Sequence, residues 1–369
     1  DAIQNVDVSG TVVYRYDDKA TDVAGADSNN AAGNYYKVGV SLSSKVNDDV
    51  KFNSRILVAK ANGDFATAGT ATTGIDTIDA DVNPGLTLSH ANFSYTGLAN
   101  TTVIVGKQGA QTPWTNAIDS DGSEQTGSGI LAMTTMGPVT AAAGYMNQTN
   151  FATSYNAAAT TAAKAGADVM VAALLGKVGP VNAEAWYLDI AESVSSYYLG
   201  ANASFDVDAV KLTIDAKYSE ASFEGETTAN DEVGNWEVGL AAAAGIFKAG
   251  VQYAESDKDG EAIANSLAKN GQIGYSVNLN GTSDSEMTTV YAAAQITPEI
   301  NVMVRYDDVK DNSAATANSS FDQTELWTQF TYTMSKNLSA YVRLADGESG
   351  KGTGAADYNR GRLQVQYKF

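Results

Sequence analysis

The chain has 369 residues, no cysteine, and 23 lysines and arginines against 43 aspartates and glutamates, for a formal net charge of −20. The absence of thiols excludes a disulfide scaffold, a cysteine nucleophile and a zinc–thiolate site, and the acidic balance is the reverse of what a nucleic-acid binder needs. No stretch approaches 18 consecutive apolar residues, so no membrane-spanning helix is expected.

The chain opens without a basic segment followed by an apolar one, so Asp1 is expected to be the mature N-terminus left by a removed signal peptide. The first strand, over 5–17, sets the pattern. Val6, Val8, Val12, Tyr14 and Tyr16 share one face, and Asp7, Ser9, Thr11 and Arg15 share the other, because side chains on a strand alternate with a period of two. Similar segments are expected over 34–45, 50–60, 88–97 and 101–107. The fourth of these five carries His90, the only histidine, beside Ser89. Strand neighbours point to opposite faces, so the two are not expected to meet, and no Ser–His–Asp triad is supported.

Loop 108–129 follows, the third long connection. It carries Asp119, Asp121 and Glu124. Two readings stand for it: folded into the interior, or lying solvated over the rim. Asp119-x-Asp121-Gly122-x-Glu124 also resembles a calcium turn, although EF-hand spacing is missing and a solvated acidic loop is the plainer reading. Strands then recur over 130–137, 139–147, 167–178, 181–189, 196–205, 209–220, 235–245 and 247–254. Loop 255–286, with Glu255, Asp257, Asp259, Glu261, Asp284 and Glu286, is expected to be an exposed surface feature, and Gln272–Leu279 within it alternates as a small hairpin would. The last strands are expected over 287–296, 300–307, 324–334, 338–345 and 358–369.

Most of these roughly eighteen segments have the ~10 residues that a tilted strand needs to cross a bilayer. Alternation alone does not separate a soluble sandwich from a membrane barrel; the connections do. They alternate between tight turns (46–49, 98–100, 137–138, 179–180, 206–208, 297–299, 335–337) and long polar loops (18–33, 61–87, 108–129, 148–166, 221–234, 255–286, 308–323, 346–357). Short turns on one rim and long loops on the other mark a transmembrane antiparallel up-and-down β-barrel with short periplasmic turns and long extracellular loops. All five prolines fall outside the strands, as a sheet requires. No linker and no repeat period divides the chain, so 1–369 is expected to form one domain. On the apolar face the aromatics fall into two belts. Tyr14, Tyr16, Tyr187, Tyr197 and Tyr306 lie toward the long loops, and Tyr95, Phe205, Phe330, Tyr367 and Phe369 toward the turns. Amphipathic rings prefer the headgroup level on either side of a bilayer.

The C-terminal Arg360–Phe369 alternates to its last residue and resembles the assembly signal of outer-membrane barrels. The opening Asp1–Gly10 with Tyr14-Arg15-Tyr16-Asp17, the stretch Tyr35–Val40 and the closing Gln364–Phe369 resemble the major outer membrane porins of campylobacter-like, epsilonproteobacterial bacteria. The likeness is clear over roughly the first sixty and last fifty residues. It implies an eighteen-stranded, trimeric general-diffusion porin. The Ala- and Gly-rich outer faces near strands 6–8 and 12–14 would suit close subunit approach in such a homotrimer.

A barrel of this size leaves a water-filled channel. All six arginines, Arg15, Arg55, Arg305, Arg343, Arg360 and Arg362, share the non-lipid phase, with Lys37, Lys51 and Lys368. They come from strands 1 to 3 and 15 to 18, which closure makes one contiguous basic wall. The acidic loop Asp119–Glu124 is expected to face that wall and set a transverse field across the narrowing. The expected function is passive passage of ions and small hydrophilic solutes with weak cation selectivity, because the acidic mouth tips a near-balanced constriction. No catalysis and no required cofactor are expected, with Ca²⁺ at Asp119, Asp121 and Glu124 as the one candidate ion. The expected surroundings are outer-membrane lipid and lipopolysaccharide. Two rivals remain: a substrate-specific, sugar-type porin, which needs a staircase of inward aromatics where Trp186, Tyr198, Trp327 and Tyr341 point inward only from separated strands or unlike depths, and a surface adhesin or structural barrel working through its loops.

Overall fold

The computed structural model describes residues 6–23, 29–59, 66–70, 85–119, 124–150, 167–224, 232–258, 274–279, 283–312, 322–350 and 355–369. Their strands are β1 (Val6–Val23), β2 (Asn29–Lys45), β3 (Val50–Ala59), β4 (Ala66–Thr70), β5 (Gly85–Leu98), β6 (Thr101–Gly109), β7 (Thr126–Met136), β8 (Val139–Thr149), β9 (Val169–Val178) and β10 (Val181–Ile190). They continue with β11 (Val194–Val207), β12 (Val210–Phe223), β13 (Glu232–Ala244), β14 (Phe247–Ser256), β15 (Ser285–Gln295), β16 (Ile300–Asp311), β17 (Gln323–Thr333), β18 (Leu338–Ser349) and β19 (Ala356–Lys368).

Each strand pairs antiparallel with its neighbours, and β1 pairs with β2 on one side and β19 on the other. The sheet therefore closes. β4 stands outside the count: it pairs only with β2, at Gly33, Tyr35 and Tyr36, while β3 pairs onward with β5. The remaining 18 strands form the barrel. At the seam Gly10 N donates to Phe369 O (2.9 Å) and Phe369 N to Gly10 O (3.1 Å). A Cβ at residue 10 would collide with Gly39 O and the Phe369 ring, so glycine is what lets the last residue close the ladder there.

The surface is inside out relative to a soluble protein. Leu86 and Val178 are each 78% exposed, whereas Lys37 and Glu237 are each 2% exposed. Apolar side chains line the outside and charge fills the interior, which is the arrangement lipid imposes. The turn rim is tight: Gly137 and Gly179 take positive φ (59° and 58°) just before Pro138 and Pro180, a conformation glycine adopts without a Cβ penalty.

The strands run further than expected at the other rim. β1 and β2 consume most of the predicted loop 18–33, and β12 and β13 shorten 221–234. Loss of apolar alternation marks where lipid ends. The backbone ladder ends later, where partners run out, and Asp17–Val23 still pairs with Arg362–Ala356. Between β10 and β11 only Ala191–Ser193 connects the strands on the long-loop side.

Candidate functional site: the lumen and its two inward-folded segments

The segment after β6 turns back on itself. Ala110 N donates to Gln125 O (2.9 Å), Gln125 N to Asn116 O (2.8 Å), and Thr115 Oγ1 to Ala110 O (2.7 Å). Trp114, 5% exposed, enters an apolar cluster with Met146, Leu188, Val194 and Tyr198, from β8, β10 and β11. It meets the Tyr198 ring edge-on at 6.3 Å. Leu188, Val194 and Tyr198 share the inner phase of their strands, so this end of the segment lies on the inner wall.

The other end is held by charge. Arg55 Nε and Nη2 donate to Glu124 Oε1 (3.1 and 2.7 Å), Arg55 Nε also to Oε2 (2.9 Å), and Ser89 Oγ to Oε2 (2.8 Å). Lys37 Nζ donates to Asp119 O (2.5 Å) and lies 3.6 Å from Glu124 Oε1. Arg55 and Glu124 are 3% and 1% exposed. A Cβ at Gly39 would strike the Arg55 guanidinium, so glycine lets that side chain lie across β2. Burial pushes the Glu124 carboxyl up, but the Arg55 hydrogen bonds and charge, the Ser89 hydroxyl and Lys37 outweigh it and hold the carboxyl below its ordinary value.

Ser89 reaches this pair through a β-bulge. The register between β3 and β5 shifts between Arg55 and Ile56, whose partners are His90 and Leu88. The extra residue puts Ser89 on the inside, and His90 also lies beside the loop, since a Cβ at Gly109 would meet His90 Nε2 at 2.6 Å. The expectation that these neighbours point to opposite faces therefore fails at this point. The carboxylate that Ser89 meets there is the one tied to Arg55.

A second segment, 274–279, also folds inward, contrary to the expectation that loop 255–286 is an exposed feature. No strand forms over its described residues, so the expected hairpin is absent there. Tyr275 N and Ser276 N donate to Glu325 Oε2 (2.7 and 3.0 Å), and Tyr358 OH donates to Glu325 Oε1 (3.0 Å). Val277 and Leu279 close over Ala254, Met287 and Val309 on the inner faces of β14 to β16. The Tyr275 ring lies 4.1 Å from Arg360 Cζ, 4.7 Å from Arg343 Cζ and 5.2 Å from Arg362 Cζ. The physical reason is burial: Tyr275, Val277 and Leu279 are at most 8% exposed, and an alternating apolar run finds no such cover outside the barrel.

The basic residues share one arc of β16 to β19 and β1 to β3, but most are partnered. Arg15 Nε donates to Gln364 Oε1 (2.8 Å), Arg343 Nε and Nη2 to Gln329 Oε1 (2.8 and 2.6 Å), and Arg360 Nη1 to Tyr275 O (3.0 Å). Arg305 binds Asp307 with Nε at 2.8 and 2.9 Å, and Arg362 binds Asp17 at 2.5 and 3.0 Å. Lys51 is exposed at the turn rim opposite Lys45. Glu124 is thus docked onto the basic arc instead of facing it. Asp121 lies outside the described residues. Both Glu124 oxygens are engaged by Arg55, which leaves Asp119 alone among the described members of the calcium candidate.

What stands half a turn away in the strand order is a second acidic group that the sequence reading missed: Glu184 on β10, Asp215 and Lys217 on β12, and Glu237 on β13. Lys217 Nζ is 2.8 Å from Glu237 Oε1 and 3.8 Å from Asp215 Oδ2. Its signal is the same inward phase that marks the arginines. Acids are common in this chain, so an inward acid does not stand out as an arginine does.

A sequence profile of the Campylobacter major outer membrane protein family matches residues 1–369. No curated protein sequence matches. Among solved structures, that of Acinetobacter baumannii OccAB4 covers 100% of both chains with TM-score 0.74 at 14% identity. A BenF-like porin from Pseudomonas fluorescens Pf-5 covers 99% of both chains with TM-score 0.74 at 16% identity. Pseudomonas aeruginosa OpdK, solved with vanillate, covers 98% of both with TM-score 0.71 at 13% identity. At these identities the structural likeness is one of fold.

Proposed function

We propose passive general diffusion for this chain, which belongs to the Campylobacter major outer membrane protein family and is a porin of the outer membrane. Ions and small hydrophilic solutes cross the lumen by size, without catalysis and without a required cofactor. The observation that carries this reading is the Arg55–Glu124 pair. It ties the segment after β6, described over 110–119 and 124–125, to the inner wall of a closed barrel, where it narrows the channel. The pore-lining basic residues are Arg15, Lys37, Lys51, Arg55, Arg305, Arg343, Arg360 and Arg362, with Asp119, Asp121 and Glu124 on the constriction loop.

Weak cation selectivity follows from the charge balance. Carboxylates neutralise Arg55, Arg305 and Arg362 in place, while Asp215 and Glu237 share one lysine and Glu184 accepts from Trp186 Nε1. The net charge of −20 then concentrates cations at the mouth, and rim charges fade over roughly 10 Å at 0.1 M salt. A sugar-type porin is disfavoured. Trp327 and Tyr341 stand on the arginine arc, and Trp186 and Tyr198 stand on β10 and β11, so the four form no continuous aromatic track. The assembly is a homotrimer held in lipid and lipopolysaccharide, and mass measurement in mild detergent checks it. A planar-bilayer record tests the whole reading. It should show steady open channels, modest cation preference and decline of that preference as salt rises. A barrel that carries no current would favour the adhesin or structural alternative.

A further inference from the structure

We infer that Arg343, Arg360, Arg362 and Tyr275 form a lumenal binding site for the carboxylate of a small organic anion. Two independent observations lead to it. The first is positive charge without matching carboxylates among the described residues. Of the three guanidiniums, Arg362 has Asp17. The hydrogen bonds of Arg343 go to the neutral Gln329 amide oxygen, and those of Arg360 to Tyr275 O and Ser276 Oγ (3.0 and 3.2 Å). The nearby Glu325 carboxylate is occupied by Tyr275 N, Ser276 N and Tyr358 OH. Charge held out of water is costly unless an opposite charge meets it.

The second is a buried donor. Tyr275 is 8% exposed, and its hydroxyl is buried with no hydrogen-bond partner among the described residues. Buried hydroxyls are nearly always bonded, so one left over beside cations points to a ligand atom. Burial raises the Tyr275 hydroxyl above its ordinary value against the pull of Arg360, Arg362 and Arg343, so it keeps its proton at neutral pH and donates.

The chemistry selects the ligand. A cation is repelled by three guanidiniums, and a neutral sugar leaves their charge unmet. A carboxylate is planar, accepts from guanidinium and phenol together, and forms charge-assisted bonds with both. Arg343 Cζ lies 4.6 Å from the Trp327 ring and 5.3 Å from the Tyr341 ring. The half-buried Tyr341 ring gives a flat hydrocarbon portion of the anion an apolar surface. Arg343 and Tyr341 are half-buried, so the site opens to the lumen.

The site deepens the porin reading and rests on the lumen it describes. Its test needs no current: calorimetric titration of the detergent-solubilised full chain with sodium benzoate, inorganic phosphate and benzyl alcohol in turn. Benzoate should bind saturably, with one site per chain, and more tightly than either of the others. Tyr275→Phe keeps the ring and removes only the donor, and should weaken benzoate about tenfold, the effect of one hydrogen bond to a charged group. Arg343→Gln should weaken it at least as much. Absence of saturable benzoate binding overturns the assignment, as does unchanged affinity in Tyr275→Phe. Equal binding of phosphate or benzyl alcohol overturns it too, since either would show that the carboxylate is not what is recognised. A chain that binds benzoate yet passes no ions in a bilayer would refute general diffusion and leave this site standing.

Discussion

The two segments that fold into the barrel are held by opposite means. The segment after β6 is fixed at one end by Trp114 in an apolar cluster and at the other by one buried carboxylate, Glu124, held by Arg55, Lys37 and Ser89. Segment 274–279 is fixed by two backbone N–H groups on Glu325, by guanidinium–ring contacts around Tyr275, and by Val277 and Leu279 on an apolar patch. The first attachment concentrates its strength in one place, and the second spreads it. A concentrated tether fails as a unit when one partner goes, whereas a distributed one loosens by degrees.

The largest effect should therefore come from Arg55. Arg55→Gln leaves Glu124 buried opposite an amide, with only Lys37 at 3.6 Å as a cation. Breaking one side of a buried pair typically costs about 3–5 kcal/mol. Thermal unfolding in detergent should drop, and single-channel records should become noisier and more conductive as the segment leaves the wall. Arg55→Gln combined with Glu124→Gln should recover part of the stability, because the buried carboxylate goes with its partner and only Lys37, still bonded to Asp119 O, keeps a charge there. A double variant no better than the single one would show that the pair is not the tether.

Glu325→Gln probes the distributed case. Both N–H bonds fall on Oε2, so an amide oxygen placed there still accepts them and the Tyr358 hydroxyl loses its acceptor; the loss should be smaller, about 1.5–3 kcal/mol for bonds to a charged group. Open-channel noise should rise only modestly. A loss as large as that at Arg55 would erase the contrast between the segments.

Acid should separate them as well. The folded Glu124 carboxyl sits below its ordinary 4.5, so its contribution to docking is complete above that value and is lost as pH falls through the lowered one. Conductance followed from neutral pH downward should stay flat until the pH is below the ordinary carboxylate range and then rise as the Glu124 tether releases. A transition near neutrality would mean that another group holds the loop.

What the sequence revealed and what it concealed follow from how far each signal reaches along the chain. Lipid enforces alternation residue by residue, so Val8 outward and Arg15 inward can be read from neighbours alone, and the closure that brings β19 to β1 follows once every strand has a phase. The inward fold of Tyr275 depends on Glu325 and Arg360, which stand 50 and 85 positions away, and no local pattern announces such partners. Tyr275, Val277 and Leu279 did alternate, but alternation fits a hairpin as well as a buried strap. The bulge at Ser89 inserts one residue without any glycine or proline to mark it. The acidic group on β10 to β13 carried the correct phase and was masked by the abundance of carboxylates. Charge phase was legible, then, while charge pairing was not, which is why the basic arc is more neutralised than a count of its residues suggests.

Whether two walls of opposite sign set the permeation is read most directly from the reversal potential in a salt gradient, with charge removed from one wall at a time. Asp215→Asn with Glu237→Gln should move the pore toward anions, and Arg15→Gln with Arg343→Gln should move it toward cations, with both shifts shrinking as salt rises. If both pairs leave the reversal potential where the unaltered channel has it, neither wall borders the ion path, and the account of a charge-divided diffusion pore is wrong.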